Sequence, residues 1–232
     1  MQQSEITDLQ DFLQVTTFFH HLTEKETELI PLHENLEKYK RNTIIYQEDD
    51  RINGFYIVYS GIIKIYKTGV DGKDQIIRFA KRGDIMGFRS TITGEKACTT
   101  AKVIENAEVI YVDGDLVKQF VKSNGDFAMD LLRIACRELG EANDYITDIA
   151  QKTVRERLAE VLIQLKISFD IAPDKYLNIL LTREEIASMV GTATESVIRL
   201  LTEFKHDNLI EVNGRRIKIL NEEKLKTIAN FS

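Results

Sequence analysis

Two side chains one helical turn apart carry the most specific chemistry in the chain. Glu195 offers a carboxylate that can accept from a cytosine amino group, and Arg199 offers a guanidinium fork matched to guanine O6 and N7. Residues four apart share a helix face, so the pair can address adjacent base pairs. The helix that would carry them opens at Thr194-Glu195-Ser196, and its apolar positions Val197, Leu200, Leu201 and Phe204 recur at helical spacing. That stripe would turn Thr194, Glu195, Ile198 and Arg199 toward base edges, with Thr192 and Ser196 beside them.

The neighbouring elements must hold this face in place. Thr182 is set to cap a preceding helix, with Glu185 three residues on completing a capping box. Ile186, Ala187, Met189 and Val190 give that helix a short apolar face, and Gly191 lets the backbone turn where a Cβ would obstruct it. Beyond the second helix, Leu209-Ile210-Glu211-Val212 and Arg215-Arg216-Ile217-Lys218-Ile219 alternate around Asn213-Gly214, a strong hairpin signal. Arg215, Arg216 and Lys218 would lie over phosphates. Helix, tight turn, helix and ribbon in this order outline a winged helix-turn-helix DNA reader. A small helical domain docking on another protein could share the turn and hairpin; the Glu195–Arg199 spacing favours DNA.

The rest of the chain sets bounds on this reading. With 232 residues and 43% hydrophobic content, it can bury the cores of two domains. No apolar run approaches the roughly 18 residues of a membrane span. Met1-Gln2-Gln3-Ser4-Glu5 lacks a signal-peptide pattern, so a cytoplasmic location is expected. Cys98 and Cys136 are too few for a four-cysteine metal site and are expected to be small packing residues. The formal charge of −6 is unevenly divided: residues 1–150 carry 18 basic against 25 acidic groups, residues 151–232 carry 13 against 12. Phosphate contacts must therefore come from local clusters, and binding should weaken strongly with salt.

Between Thr43 and Val112, short runs at 44–46, 55–58, 62–66, 75–79 and 109–112, punctuated by Gly54, Gly61, Gly69 and Asp71-Gly72, predict a compact barrel or roll. Asp8–Asn42 is mostly helical by pattern, with Phe12, Phe18, Phe19, Leu22, Leu29 and Ile30 available to pack on the roll. His20, His21 and His33 lie in this stretch. A haem ligand among them is one reading and surface or cap histidines the other; no residue is assigned to a metal and no cofactor is named. A long helical stretch follows, roughly Asn124 to Lys166. Met129, Leu132, Cys136, Leu139, Asn143, Ile146, Ala150 and Thr153 follow an a/d heptad register there. Such a seam suits a two-stranded coiled coil, with Asn143 at an a position fixing register; the alternative is that this face packs on its own roll. From Thr153 onward, Val154, Leu158, Val161, Leu162 and Leu165 suggest a second helix after a hinge near Ala150–Lys152.

Roll, long helix and winged reader in this order resemble the CRP/FNR (cyclic-AMP receptor/fumarate-nitrate regulator) family of bacterial transcription factors over nearly the whole chain. The most specific marks are Leu181-Thr182-Arg183-Glu184-Glu185-Ile186-Ala187, Val190-Gly191 and Glu195-Ser196-Val197-Ile198-Arg199. The resemblance implies an α+β architecture: an N-terminal β-roll of the cyclic-nucleotide-binding jelly-roll type, a long dimerisation helix and a C-terminal winged helix-turn-helix. The expected divisions are 1–123, 124–150 and 151–232. It also implies a homodimer on a palindromic double-stranded operator, contact with RNA polymerase, and Glu195 and Arg199 reading a G·C core in each half-site. Ile198 stands where several oxygen-sensing members have serine, and faces a possible thymine methyl.

The sensor half departs from the family pattern. Where members that bind cyclic AMP carry a glutamate for the ribose after a glycine like Gly87, this chain has Phe88; where they carry an Arg-Ser pair for the phosphate, it has Ala97-Cys98-Thr99-Thr100. A buried phosphate without a paired cation is costly, so ordinary cyclic AMP is not the expected effector unless Arg89 reaches in. Gly87, Phe88, Arg89, Ser90, Thr99 and Thr100, with Asn143 from the long helix, form the candidate effector set for an unidentified small molecule. Arg89 pairing with Asp84 or Glu95 is the alternative. No cysteine precedes Cys98, which excludes an N-terminal iron–sulfur cluster; thiol sensing at Cys98 would require exposure and a lowered pKa. No nucleophile elbow, phosphate loop or zinc-protease helix motif marks an enzyme. The expectation is an effector-gated transcription regulator; the alternative is a cyclic-nucleotide-like or anion-binding sensory module with a non-DNA output.

Overall fold

The computed structural model describes residues 9, 12, 16, 19–32 and 34–230. The chain divides into two compact units, Met1–Leu139 and Gly140–Ser232. Among the described residues, no helix is long and apolar enough to cross a membrane.

The first unit is built on an antiparallel sheet. Its strands are β1 (Leu36–Tyr39), β2 (Ile44–Tyr46), β3 (Gly54–Thr68), β4 (Asp74–Ala80), β5 (Ile85–Met86) and β6 (Thr100–Asp113). The main order is β1-β6-β3-β4, with β2 on β6 and β5 on β3. The runs at 55–58 and 62–66, expected as separate strands, are one strand whose pairing with β6 shifts register between Val58 and Ile63. Gly61 sits in that irregularity at φ +85°, where a Cβ would lie 2.3 Å from the Asn106 carbonyl oxygen. Only glycine meets both demands, and the bulge bends the long ribbon so that it closes into a roll instead of running flat.

The roll's interior is filled by Val58, Ile63, Ile65, Met86, Val103 and Val109. The helix α1 (Glu24–Glu28) precedes the strands, and a second core forms where Phe55, Ile57, Ile110 and Val112 meet the helices α2 (Phe88–Thr93), α3 (Gly114–Ser123) and the start of α4 (Gly125–Gln151). Phe12, Phe19 and Ile30 are buried there, as their pattern predicts, whereas Leu29 is exposed; Phe18 and His33 lie outside the described residues. The largely helical 8–42 segment is corrected in part. Leu36–Tyr39 is a strand because β6 offers it a pairing edge, Leu36 to Ile110 through Tyr39 to Ala107, which local propensity cannot anticipate.

The helix α4 runs 27 residues without interruption. Phe127 and Leu131 are buried in the roll's outer core. Met129, Leu132, Cys136 and Leu139 are exposed, so within the first unit that face does not pack on the roll; Asn143, Ile146 and Ala150, in the second unit, are exposed too.

The second unit contains α5 (Val154–Phe169), α6 (Arg183–Val190), α7 (Thr194–His206), β7 (Ile210–Asn213), β8 (Arg216–Ile219) and α8 (Glu222–Ala229). Thr153 does not extend the heptad seam. Its hydroxyl accepts from the Glu156 amide and the Glu156 carboxylate accepts from the Thr153 amide, a capping box that starts α5. The break after Gln151 is clamped: Lys152 Nζ bridges Asp148 (2.8 Å) and Glu160 (2.7 Å), and Arg157 donates to the Lys152 carbonyl. Burial raises the pKa of the Glu160 carboxyl against the pull of Lys152. The face of α5 formed by Leu158, Leu162 and Leu165 is buried, as its pattern requires.

Candidate nucleic-acid interface

The second unit realises the helix–turn–helix in detail. Thr182 and Glu185 form the reciprocal capping box (2.8 and 3.1 Å), and Gly191 ends α6 at φ +68°. The Arg157 guanidinium donates to the Val190 and Gly191 carbonyls, pinning the turn from α5. Val197, Leu200, Leu201 and Phe204 are buried, which rotates Glu195, Ile198 and Arg199 into solvent. Thr192, Thr194 and Ser196 are half-buried at the helix start.

Arg199 is not loose. Its guanidinium donates to Glu203 (2.7 Å), which also receives Arg155 Nη1 (3.1 Å). Arg155 in turn bonds Asp207 (3.1 Å) and lies over the Phe204 ring. The Asp207 carboxyl is accordingly held below its usual pKa, chiefly by Arg155. Arg155 and Glu203, unremarked in the sequence, therefore orient the candidate reading arginine. Their signal is visible only as an i,i+4 spacing of Arg199 and Glu203; the Arg155 contact spans 48 residues.

The hairpin corrects the sequence reading in two ways. Asn213 pairs with Arg216, so the two loop residues are Gly214 and Arg215, not Asn213 and Gly214. Gly214 has φ +59° and Arg215 does not, the order of a turn that wants glycine first. Secondly, two of the three basic residues are already matched. Arg216 bonds Asp174 and stacks on Tyr176, and Lys218 lies 3.7 Å from Glu211, its direct cross-strand neighbour. Arg215 stands exposed at the tip and, among the described residues, has no acidic partner. Arg183 was also missed: its Nη2 donates to the Gly214 carbonyl (2.7 Å), tying α6 to the tip.

A family model for the Crp-like helix-turn-helix domain matches residues 156–228, and one for the cyclic nucleotide-binding domain matches residues 36–124. This chain belongs to the CRP/FNR family. It is 27% identical over 216 residues to the fumarate and nitrate reduction regulatory protein of Vibrio cholerae, covering 90% of this chain and 86% of the relative. It is 26% identical over 189 residues to a CRP-like cAMP-activated global transcriptional regulator of Mycobacterium tuberculosis, covering 81% and 84%. The structure of FixK2 from Bradyrhizobium japonicum superposes with a TM-score of 0.75 at 25% identity, covering 83% of this chain and 96% of that one. This CRP/FNR protein is a DNA-binding transcription regulator.

In the first unit of this CRP/FNR regulator, the candidate effector residues are placed as follows. Gly87 takes φ +80° ahead of the short α2. Phe88 and Ser90 are buried, Phe88 in the outer core, so neither side chain faces open space. Arg89 pairs with Glu95, both half-exposed, the second of the readings left open above. Thr100 is buried and accepts from the Glu48 amide (3.0 Å), and Thr99 hydrogen-bonds Tyr46. Asn143 is exposed on α4. Cys98 and Cys136 are both exposed, contrary to the expectation of packing residues, because Cys98 lies in the loop before β6 and Cys136 on the uncovered face of α4.

Proposed function

We propose that this regulator binds a palindromic operator as a homodimer joined along α4. The exposed Met129, Leu132, Leu139 and Ile146 at heptad spacing carry this reading: a soluble helix leaves such a row uncovered only where another surface meets it. In the dimer, Glu195 and Arg199 would read a G·C-containing core in each half-site, Ile198 would sit against a thymine methyl, and Thr192, Thr194 and Ser196 would position the helix start on the backbone. Arg215 would take the principal wing contact to phosphate, with Arg216 and Lys218 contributing as they exchange their acids for phosphate.

Gating is assigned to a small molecule at the roll that is not ordinary cyclic AMP. Phe88 replaces a ribose-binding carboxylate with an apolar ring in the core, and Arg89 beside it is paired externally to Glu95. An anionic effector that displaces Glu95 from Arg89 fits this arrangement. Contact with RNA polymerase belongs to the same reading, as does action in the cytoplasm.

Selection of random duplex DNA by the purified protein, at fixed moderate salt and without additive, tests it. Recovery of a two-fold symmetric site with G·C in each half is the expected result. Enrichment of an asymmetric or single half-site by the protein would overturn the dimeric reading.

A further inference from the structure

We propose that His20, His21 and Asp130 form a site for a divalent transition-metal ion of the zinc, cobalt or nickel class. Their ligating atoms lie within 4.8 Å of one another. Asp130 Oδ2 is 3.8 Å from His20 Nδ1 and 3.5 Å from His21 Nε2. Those separations are too long for hydrogen bonds. They fall close to the edge of about 3.3 Å that a tetrahedral ion with metal–ligand bonds near 2.05 Å would impose.

The carboxylate is the decisive member. Asp130 is 6% exposed, and its Oδ2 is buried without a hydrogen-bond partner. Leaving a charged oxygen buried and unsatisfied is costly, and a cation facing it would remove that cost. The other oxygen, Oδ1, is fixed by Arg133 at 2.7 Å, which leaves Oδ2 aimed at the two imidazoles. Such an outer partner orients a metal-binding carboxylate.

The histidine pair is equally well held. Phe19 before it is buried against Phe55 and Phe127, and Asn124 donates to the His21 carbonyl (3.0 Å) while accepting from the Phe127 amide at the start of α4. The backbone is thus anchored, whereas the rings are about one-third exposed and can turn the last few tenths of an ångström. That exposure gives an ion a path in and leaves a coordination position to water. Two imidazoles and one carboxylate suit borderline transition metals better than magnesium or calcium. The sequence separates the ligands by more than a hundred residues, so no spacing motif announces them.

The test uses the full chain, chelator-stripped, with Cys98 and Cys136 alkylated to remove competing thiolates, and titrated with Co2+. One saturable equivalent with visible ligand-field absorption, displaced by Zn2+, is expected. Asp130→Asn and His21→Gln should each weaken binding by at least about tenfold, while His206→Gln, in the other unit, should leave it unchanged. Absence of saturable binding overturns the proposal, as does binding that Asp130→Asn and His21→Gln both leave within twofold of the parent. Should Asp130→Asn fail to fold by circular dichroism, His21→Gln decides alone, because His21 is exposed enough to be replaced without disturbing the core.

Discussion

Replacing Arg199 by alanine should remove selectivity as well as affinity, and the size of the loss follows from what Arg199 gives up to bind. In the free protein its guanidinium is paired with Glu203 on the same exposed helix face, an interaction of about 0.3–0.5 kcal/mol. A bidentate arginine–guanine contact is worth about 1–3 kcal/mol of discrimination, so DNA wins the exchange in each half-site. Two half-sites give a loss of about 2–6 kcal/mol, at least roughly thirtyfold in affinity. Because Glu203 also holds Arg155, the arginine is pre-aimed and little ordering cost offsets the contact. Fluorescence anisotropy on the selected operator, and on operators with each core base pair changed in turn, would measure this. Arg199→Ala should bind parent and one altered operator equally, so that the two changes together cost no more than one. Equal losses on operator and random duplex, or additive losses at every base pair, would refute base reading by Arg199.

Arg215→Ala should weaken all sequences alike and reduce the slope of log affinity against log salt by about one per protomer, measured by the same titration across salt; an unchanged slope would place the wing tip off the phosphates. Asn143→Leu should make the dimer harder to dissociate on dilution in sedimentation equilibrium while loosening its register, and unchanged dissociation would count against the α4 seam. Burial pushes the Tyr46 phenol up to about 12. The folded state then holds its proton more tightly than the unfolded chain, so stability is intact below about pH 10 and falls as pH rises toward 12, by roughly 3 kcal/mol from this group. Denaturant midpoints should therefore fall less steeply across that window in Tyr46→Phe than in the parent.

The reading helix was legible because its requirements are local. Capping at Thr182, the turn at Gly191 and the stripe from Val197 to Phe204 are each encoded within a few residues, and the structure reproduces all three. The roll was legible in kind but not in detail. A glycine between two apolar runs reads as a strand end, and Gly61 instead marks a bulge, because the chemistry that selects it is the Asn106 carbonyl on a strand more than forty residues away. Leu36–Tyr39 became a strand for the same non-local reason. Charge on the wing misled because Arg216 and Lys218 count as free cations in a sequence, whereas Asp174 and Glu211 neutralise them in the fold. Asp130 carried no signal at all, since its meaning depends on a histidine pair brought to it by Phe19 and Asn124.

The matched charges of the hairpin bear on how this regulator would divide its time in a cell. A chromosome presents millions of indifferent sites, and a reader studded with bare cations spends nearly all of its copies on them. Here Arg216 and Lys218 meet an anonymous phosphate only by surrendering an acid, so accidental encounters return little. Base contacts from the recognition helix can repay that exchange at a true operator. Asp174 and Glu211 thus act as a toll on idle binding, enlarging the share of molecules left to find their target.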